Sequence, residues 1–162
     1  MALPVKIQEE IDRVAAEGDA LCDQGRFAEA LPIFRKGLEI LPKPVHQWPH
    51  ATLWFLAAIG DCQFFLKDFR SAVDTFSESL LYGGLGNAFV HLRRGQALFE
   101  LGDRKESANE LLRALLLGGV QEFVDQDEKY LKFVTSVSKP PAGRSDWKGF
   151  TGSKRAGRCT NG

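Results

Sequence analysis

Three stretches of this sequence align with one another without a gap, and that self-similarity constrains the fold more than any other feature. They are EGDALCDQGRFAEALPIFRKGLEILP from Glu17, IGDCQFFLKDFRSAVDTFSESLLYGG from Ile59 and RGQALFELGDRKESANELLRALLLGG from Arg94. Each carries a glycine near its start (Gly18, Gly60, Gly95), a small residue twelve positions on (Ala30, Ala72, Ser107) and a large apolar one at sixteen (Phe34, Phe76, Leu111). At nineteen comes another small residue (Gly37, Ser79, Ala114), followed directly by Leu38, Leu80 and Leu115. Two antiparallel helices need such an order. Their backbones approach closely only where small side chains face one another, and the large residue fills the space between neighbouring hairpins. Each stretch also breaks at the same point, with Gln24-Gly25, Lys67-Asp68 and Gly102-Asp103 predicting a tight helix-helix turn.

The helices themselves read from period. Ile7, Ile11, Val14, Gly18 and Leu21 form one 3.6-residue stripe, and Phe27, Ala30, Leu31, Phe34, Leu38 and Leu41 form the next. No strand pattern competes. The spacing from Gly18 to Gly60 is 42 and from Gly60 to Gly95 is 35, the longer one holding a Pro-punctuated loop, PKPVHQWPHA. In the second link, YGGLGN, Asn87 is placed to cap the following helix. After Gly118-Gly119 the pattern changes. Phe123, Val124, Tyr130, Leu131, Phe133, Val134 and Val137 predict a capping helix over about 122–137, begun by Asp125 or Asp127 and ended by Lys139-Pro140-Pro141. Beyond it AGRSDWKGFTGSKRAGRCTNG is rich in Gly, Ser and basic residues, with only Trp147 and Phe150 as large apolar groups, so residues 139–162 read as a flexible basic tail.

These segments resemble the tetratricopeptide repeat (TPR) family, whose unit of about 34 residues carries the same small and large positions. The likeness covers roughly residues 11 to 121. It implies an all-α fold, a right-handed α-solenoid of three TPR helical hairpins (about 11–44, 53–86 and 88–121) plus the C-terminal capping helix, giving a TPR domain over 1–138. In this family the first helix of each hairpin lines a concave surface. The matching positions are Asp12, Ala15, Asp19, Cys22 and Asp23 in hairpin one, and Trp54, Ala57, Asp61, Phe64 and Phe65 in hairpin two. Hairpin three supplies Phe89, Leu92, Arg93, Gln96, Phe99 and Glu100. The resemblance thus implies a partner-binding groove, acidic at one end and aromatic in its middle, suited to a protein partner with basic and apolar side chains. Co-chaperone members bind a C-terminal carboxylate through a Lys/Asn/Arg clamp. Here Ala15, Asp19 and Phe89 stand at clamp positions and only Arg93 agrees, which argues against that ligand.

Composition narrows the function further. The 162 residues suit one domain, and 44% hydrophobic content with 12 Phe is enough for a core. Lys and Arg number 21, as do Asp and Glu, so the whole-chain charge makes no case for nucleic acid or membrane. The balance is uneven along the chain. From Lys139 onward there are six basic residues (Lys139, Arg144, Lys148, Lys154, Arg155, Arg158) and one acid (Asp146), which leaves 15 basic against 20 acidic before them. Secretion by signal peptide and membrane spanning are both disfavoured, and the three cysteines (Cys22, Cys62, Cys159) lie in no CxxC, so the expectation is a cytoplasmic protein with free thiols. His46 and His50 are four apart but flanked by Pro44 and Pro49, without an HExxH, and no metal or cofactor is expected. The GGLG run at Gly83–Gly86 lacks GK[ST] and reads as a connector, while His91 reads as a hydrogen-bonded helix residue. No nucleophile or general base stands out. The sequence therefore reads as a non-catalytic adaptor, and the resemblance extends to small bacterial three-repeat proteins that neutralise toxins as immunity partners. Translocator chaperones of type III secretion are an alternative, as is a self-associating TPR scaffold, a homodimer through the aromatic surface.

Overall fold

The computed structural model describes residues 1–153, and every regular element among them is helical. The chain is all-α, of the TPR-like solenoid class. Its contacts divide it into two compact units, Met1–Gly84 and Leu85 onward. The N-terminal unit holds α1 (Val5–Asp23), α2 (Phe27–Ile40), α3 (Pro49–Phe65) and α4 (Phe69–Ser79). Here α1 pairs with α2 and α3 with α4, and α2 also packs on α3. The C-terminal unit pairs α5 (Ala88–Glu100) with α6 (Arg104–Gly118), then adds a 3-10 turn (Val120–Phe123) and α7 (Glu128–Val137).

The aligned glycines explain the pairing. A Cβ on Gly18 would lie 2.3 Å from the ring of Phe34, one on Gly60 2.8 Å from Phe76, and one on Gly95 2.8 Å from Leu111. In each hairpin the large residue sixteen positions on therefore occupies the volume that any other residue would need on the paired helix. This sharpens the expectation that it only fills space between hairpins. Phe34 also meets the next helix, with Trp54 edge-on to it at 5.7 Å. Gly37 on α2 repeats the device against α3, where its Cβ would come within 2.2 Å of Phe55. Phe34, Phe55, Ala30 and Leu41 are all at most 1% exposed, and together with Ile11, Val14 and Ile59 they form the core of the N-terminal unit.

The three turns share one geometry. Gly25, Lys67 and Gly102 have φ of 72°, 62° and 85°. In each case that residue's N–H and the next one close back on carbonyls of the ending helix: Gly25 on Cys22 and Arg26 on Leu21, Lys67 on Phe64 and Asp68 on Gln63, Gly102 on Phe99 and Asp103 on Leu98. This is the Schellman ending, which wants glycine at the left-handed position. Asp68, Asp103 and Asp127 then cap α4, α6 and α7 with their side chains, and Asn87 caps α5 as expected. Asp127, not Asp125, begins α7. The Pro-rich insertion folds into a 3-10 turn (Val45–Gln47), pinned by the Trp48 indole donating to the Pro42 carbonyl at 3.0 Å and the Thr52 hydroxyl to Val45 at 3.0 Å.

The segment beyond α7 departs from the flexible reading. Residues 139–153 run back along the C-terminal unit, and Trp147, only 7% exposed, joins Leu92, Leu111, Ala114, Leu115, Phe123, Tyr130 and Val134 in its core. The backbone ties are specific: Val120 N–H donates to the Phe150 carbonyl at 2.8 Å and Ser153 N–H to Leu116 at 2.9 Å. Gly119 and Gly152 permit the crossing, since a Cβ on either would lie 2.5 Å from a backbone carbonyl oxygen of the other strand of chain. The Gly, Ser and Arg content of the segment suggested disorder, but two aromatics suffice to hold it where a helix leaves an apolar face uncovered. The rest of the tail, 154–162, lies outside the described residues.

Two turn and packing variants should move stability in opposite directions in urea melts. Gly18→Ala must displace a buried ring and should cost about 1–3 kcal/mol. Lys67→Gly relieves a left-handed side chain and should add about 0.5–1 kcal/mol. Removing the Trp147 ring in Trp147→Ala should cost about 3–5 kcal/mol. Trp147→Phe should cost much less, because the indole Nε1 it deletes is buried without a hydrogen-bond partner among the described residues.

Candidate functional site

The residues assigned to a groove fall into two separate settings. In the N-terminal unit, Asp12, Asp19 and Asp23 are exposed on α1, Asp12 accepting a 2.8 Å bond from Gln8. Burial, then the neighbouring charge of Asp23, pushes the carboxyl of Asp19 above its ordinary value. On α3, Asp61 and Phe64 are half-buried, and Phe65 is 44% exposed beside Leu66 at 42%. Trp54 is half-buried and edge-on to Phe34 and to Phe55, at 5.7 and 5.0 Å. Phe65 stacks on Phe27 at 4.6 Å, and Phe64 meets Phe69 edge-on at 5.5 Å. Phe27 and Phe69 open α2 and α4, so these aromatics gather at the turn end of the hairpins, drawing on second helices as well as first. Repeat position alone does not group them, although Phe27 and Phe69 follow their turns at the same offset.

In the C-terminal unit the predicted positions are engaged by the chain's own later residues. Arg93 is 7% exposed and Gln96 fully buried. The Arg93 guanidinium donates to Gln96 at 2.8 Å and to Gln126 at 2.6 Å, Gln96 donates to Gln126 at 3.0 Å, and Arg93 also lies 5.3 Å over the ring of half-buried Phe89. Glu100 accepts from the Tyr130 hydroxyl at 2.7 Å and pairs with Lys129 at 2.6 Å. Phe99 sits edge-on to Tyr130 and Phe133, at 5.4 and 5.1 Å, with the Arg104 guanidinium 3.5 Å over its ring. So α7 packs on α6, and Gln126, Lys129 and Tyr130 reach the side chains of α5. The signal was present in the chain: a cap shaped like another first helix pairs laterally with the first helix before it, as α3 meets α1 through Cys62 and Cys22, whose sulfurs lie 3.7 Å apart.

A buried polar cluster adds to this. His91, 1% exposed, has Nδ1 at 2.7 Å from Glu110 and Nε2 at 3.0 Å from the Leu85 carbonyl. The other oxygen of Glu110 pairs with Arg94 at 3.0 Å. Burial alone would raise this carboxyl, but the hydrogen bond from His91 and the charge of Arg94 hold it below its ordinary value. That arrangement binds helix to helix and offers nothing to solvent. His46 lies in the 3-10 turn and His50 in the first turn of α3, both exposed.

One cavity of about 800 Å³ opens between α7 and the segment after it, lined by Phe123, Leu131 and Trp147 among others and by none of the predicted site residues. Nothing in the sequence announces it, because the composition of that segment points to a flexible chain. Among the described residues no helix is long and apolar enough to cross a membrane.

Comparison with known proteins gives a fold and no closer kinship. No family model matches the chain and no curated protein does. Among solved structures it is similar to the Hsp90 co-chaperone Cns1 from Saccharomyces cerevisiae, with a TM-score of 0.62 and 18% identity over 84% of this chain. The match spans 40% of that protein's chain. It is also similar to the first TPR domain of human RPAP3, with a TM-score of 0.55, 19% identity, and coverage of 78% of this chain and 88% of that one. The architecture is thus that of TPR domains.

Because Glu110 titrates lower folded than unfolded, its contribution to stability is fully present above the unfolded carboxyl value and is lost as pH falls through the folded one. Acid melts from pH 7 downward should therefore show a loss below about pH 4.5 that shrinks in Glu110→Gln. A pH profile identical in both proteins would remove Glu110 from that role.

Proposed function

We propose that this chain is a non-catalytic protein-binding module whose N-terminal unit holds a partner segment carrying basic and apolar side chains. The observation that carries the reading is the exposure of Phe65 and Leu66 at 44% and 42%, one helical turn beyond Asp61 on α3. Exposed aromatic surface beside carboxylates is the composition of a recognition surface that anchors with ring contacts and selects by charge. Asp19 supports it, since a carboxylate already disfavoured by burial and by Asp23 gains from an incoming cation. Phe89, Arg93, Gln96, Phe99 and Glu100 are not part of this surface in the proposal, because all five are engaged within their own unit.

The likeness in fold to a co-chaperone carries no carboxylate clamp with it. Ala15, Asp19 and Phe89 stand at clamp positions, and Arg93 is held by Gln96 and Gln126. The finer form of the proposal is a bacterial toxin-neutralising protein in the cytoplasm, which would act by covering its partner's active surface. In support stands the short resemblance of LLLGGVQEFVDQDEKYLKFV to such proteins.

The test starts from the partner recovered by pull-down from the native host and titrated against purified protein. Phe65→Ala combined with Asp61→Lys should weaken binding by about 30-fold or more while circular dichroism stays unchanged. Unaltered affinity would place the site elsewhere. Neutralisation adds its own readout: a stoichiometric amount of the protein should abolish the partner's activity, and persistence of that activity in the bound complex rejects the immunity role alone.

A further inference from the structure

Cys22 and Cys62 come from different helices of the N-terminal unit, 40 positions apart, yet their sulfurs lie 3.7 Å from each other. Both belong to the same core cluster, Cys62 fully buried and Cys22 half-buried at its edge. Neither forms a disulfide. A bound metal is not what the surroundings suggest, because among the described residues no group of three or more His, Cys, Asp or Glu converges. A disulfide needs a sulfur separation of about 2.05 Å, so closing the gap takes a movement of about 1.6 Å by two side chains whose sulfurs already touch.

We propose that Cys22 and Cys62 form a reversible modification site, oxidised by a low-molecular-weight disulfide to an intramolecular bond that ties α1 to α3. The difference in exposure sets the order of events. The sulfur of Cys22, as thiolate, attacks one sulfur of the small disulfide, forming a mixed disulfide and releasing one thiol. Cys62, whose thiol burial holds above its ordinary value, then gives up its proton, and its sulfur attacks the Cys22 sulfur and displaces the second small thiol as a thiolate that takes up a proton. The two cysteines lose two electrons and two protons, and the small disulfide is reduced to two thiols. A reagent cannot rest on Cys62, which has no exposed surface, so the internal bond forms by way of the mixed disulfide on Cys22.

The carboxylates around the pair shape its reactivity. Burial, reinforced by the charges of Asp61 on α3 and of Asp19 and Asp23 on α1, raises the thiol of Cys22 above its ordinary value. Exchange is therefore slow at neutral pH and quickens about tenfold per pH unit while the thiolate remains the minor form. A cationic oxidant suits that acidic surround, which makes cystamine the appropriate probe.

The experiment uses the full chain carrying Cys159→Ser, so that only two thiols remain, incubated with cystamine and then freed of it. The expected result is loss of both thiols with no cysteamine retained, a non-reducing digest that joins the peptides of Cys22 and Cys62, and a rise in Tm of about 5–10 °C that dithiothreitol reverses. Adding Cys62→Ala should leave cysteamine bound at Cys22. Cysteamine retained on Cys22 with Cys62 intact overturns the proposal, as do disulfide-linked dimers, or thiols that stay unreacted after the same protein, unfolded in urea, is fully oxidised. None of these readouts depends on the partner.

Discussion

The structure depends on a close approach between glycine and a buried large side chain. Where Gly18, Gly60 and Gly95 lack a Cβ, Phe34, Phe76 and Leu111 occupy its place, and Gly37 receives Phe55 in the same way. Dispersion contacts fall steeply with distance, so a ring seated against bare backbone gains contacts that a methyl group in between would forfeit. The separation of the paired helices is thereby fixed. The effect is plainest in α3, which has buried residues all round, from Thr52 and Leu53 through Phe55, Leu56 and Ile59 to Cys62 and Gln63. Its place is set by Gly37, which faces its Phe55, and by its own Gly60 against Phe76, and less by any apolar stripe of its own.

The parts of the fold legible in the sequence are those decided within a few turns of chain. The three helix-helix turns and the Asn87 cap depend on residues close in sequence, and they stand where the alignment put them. Lys67 was readable only by alignment, because lysine gives no local sign of a left-handed turn; its place opposite Gly25 and Gly102 did. The segment after α7 was not readable. Its composition favours solvent, and only the apolar face formed by Leu111, Leu115 and Val134 makes Trp147 bury itself.

The candidate site was half legible for a related reason. Repeat position identifies which side of a helix points inward, but not what already stands there. Arg93, Gln96, Phe99 and Glu100 occupy positions that face a groove in the family, and Gln126, Lys129, Tyr130 and Phe133 meet them. The two units consequently differ in how they treat acid. In the C-terminal one, hydrogen bonds and cations outweigh burial and hold Glu100 and Glu110 below the usual carboxyl value. In the other, burial and a second acid push Asp19 upward. The first set of carboxylates is spent on internal cohesion.

The return of the chain after α7 also decides where the molecule can be extended. Seen as a string of helices, it ends at Val137, and a tether or second domain grafted just beyond would look harmless. Trp147, Phe150 and Ser153 make that graft an amputation, since they supply part of the core and two backbone hydrogen bonds to the α6 end. A graft that keeps this core whole must therefore leave residues 139–153 in place.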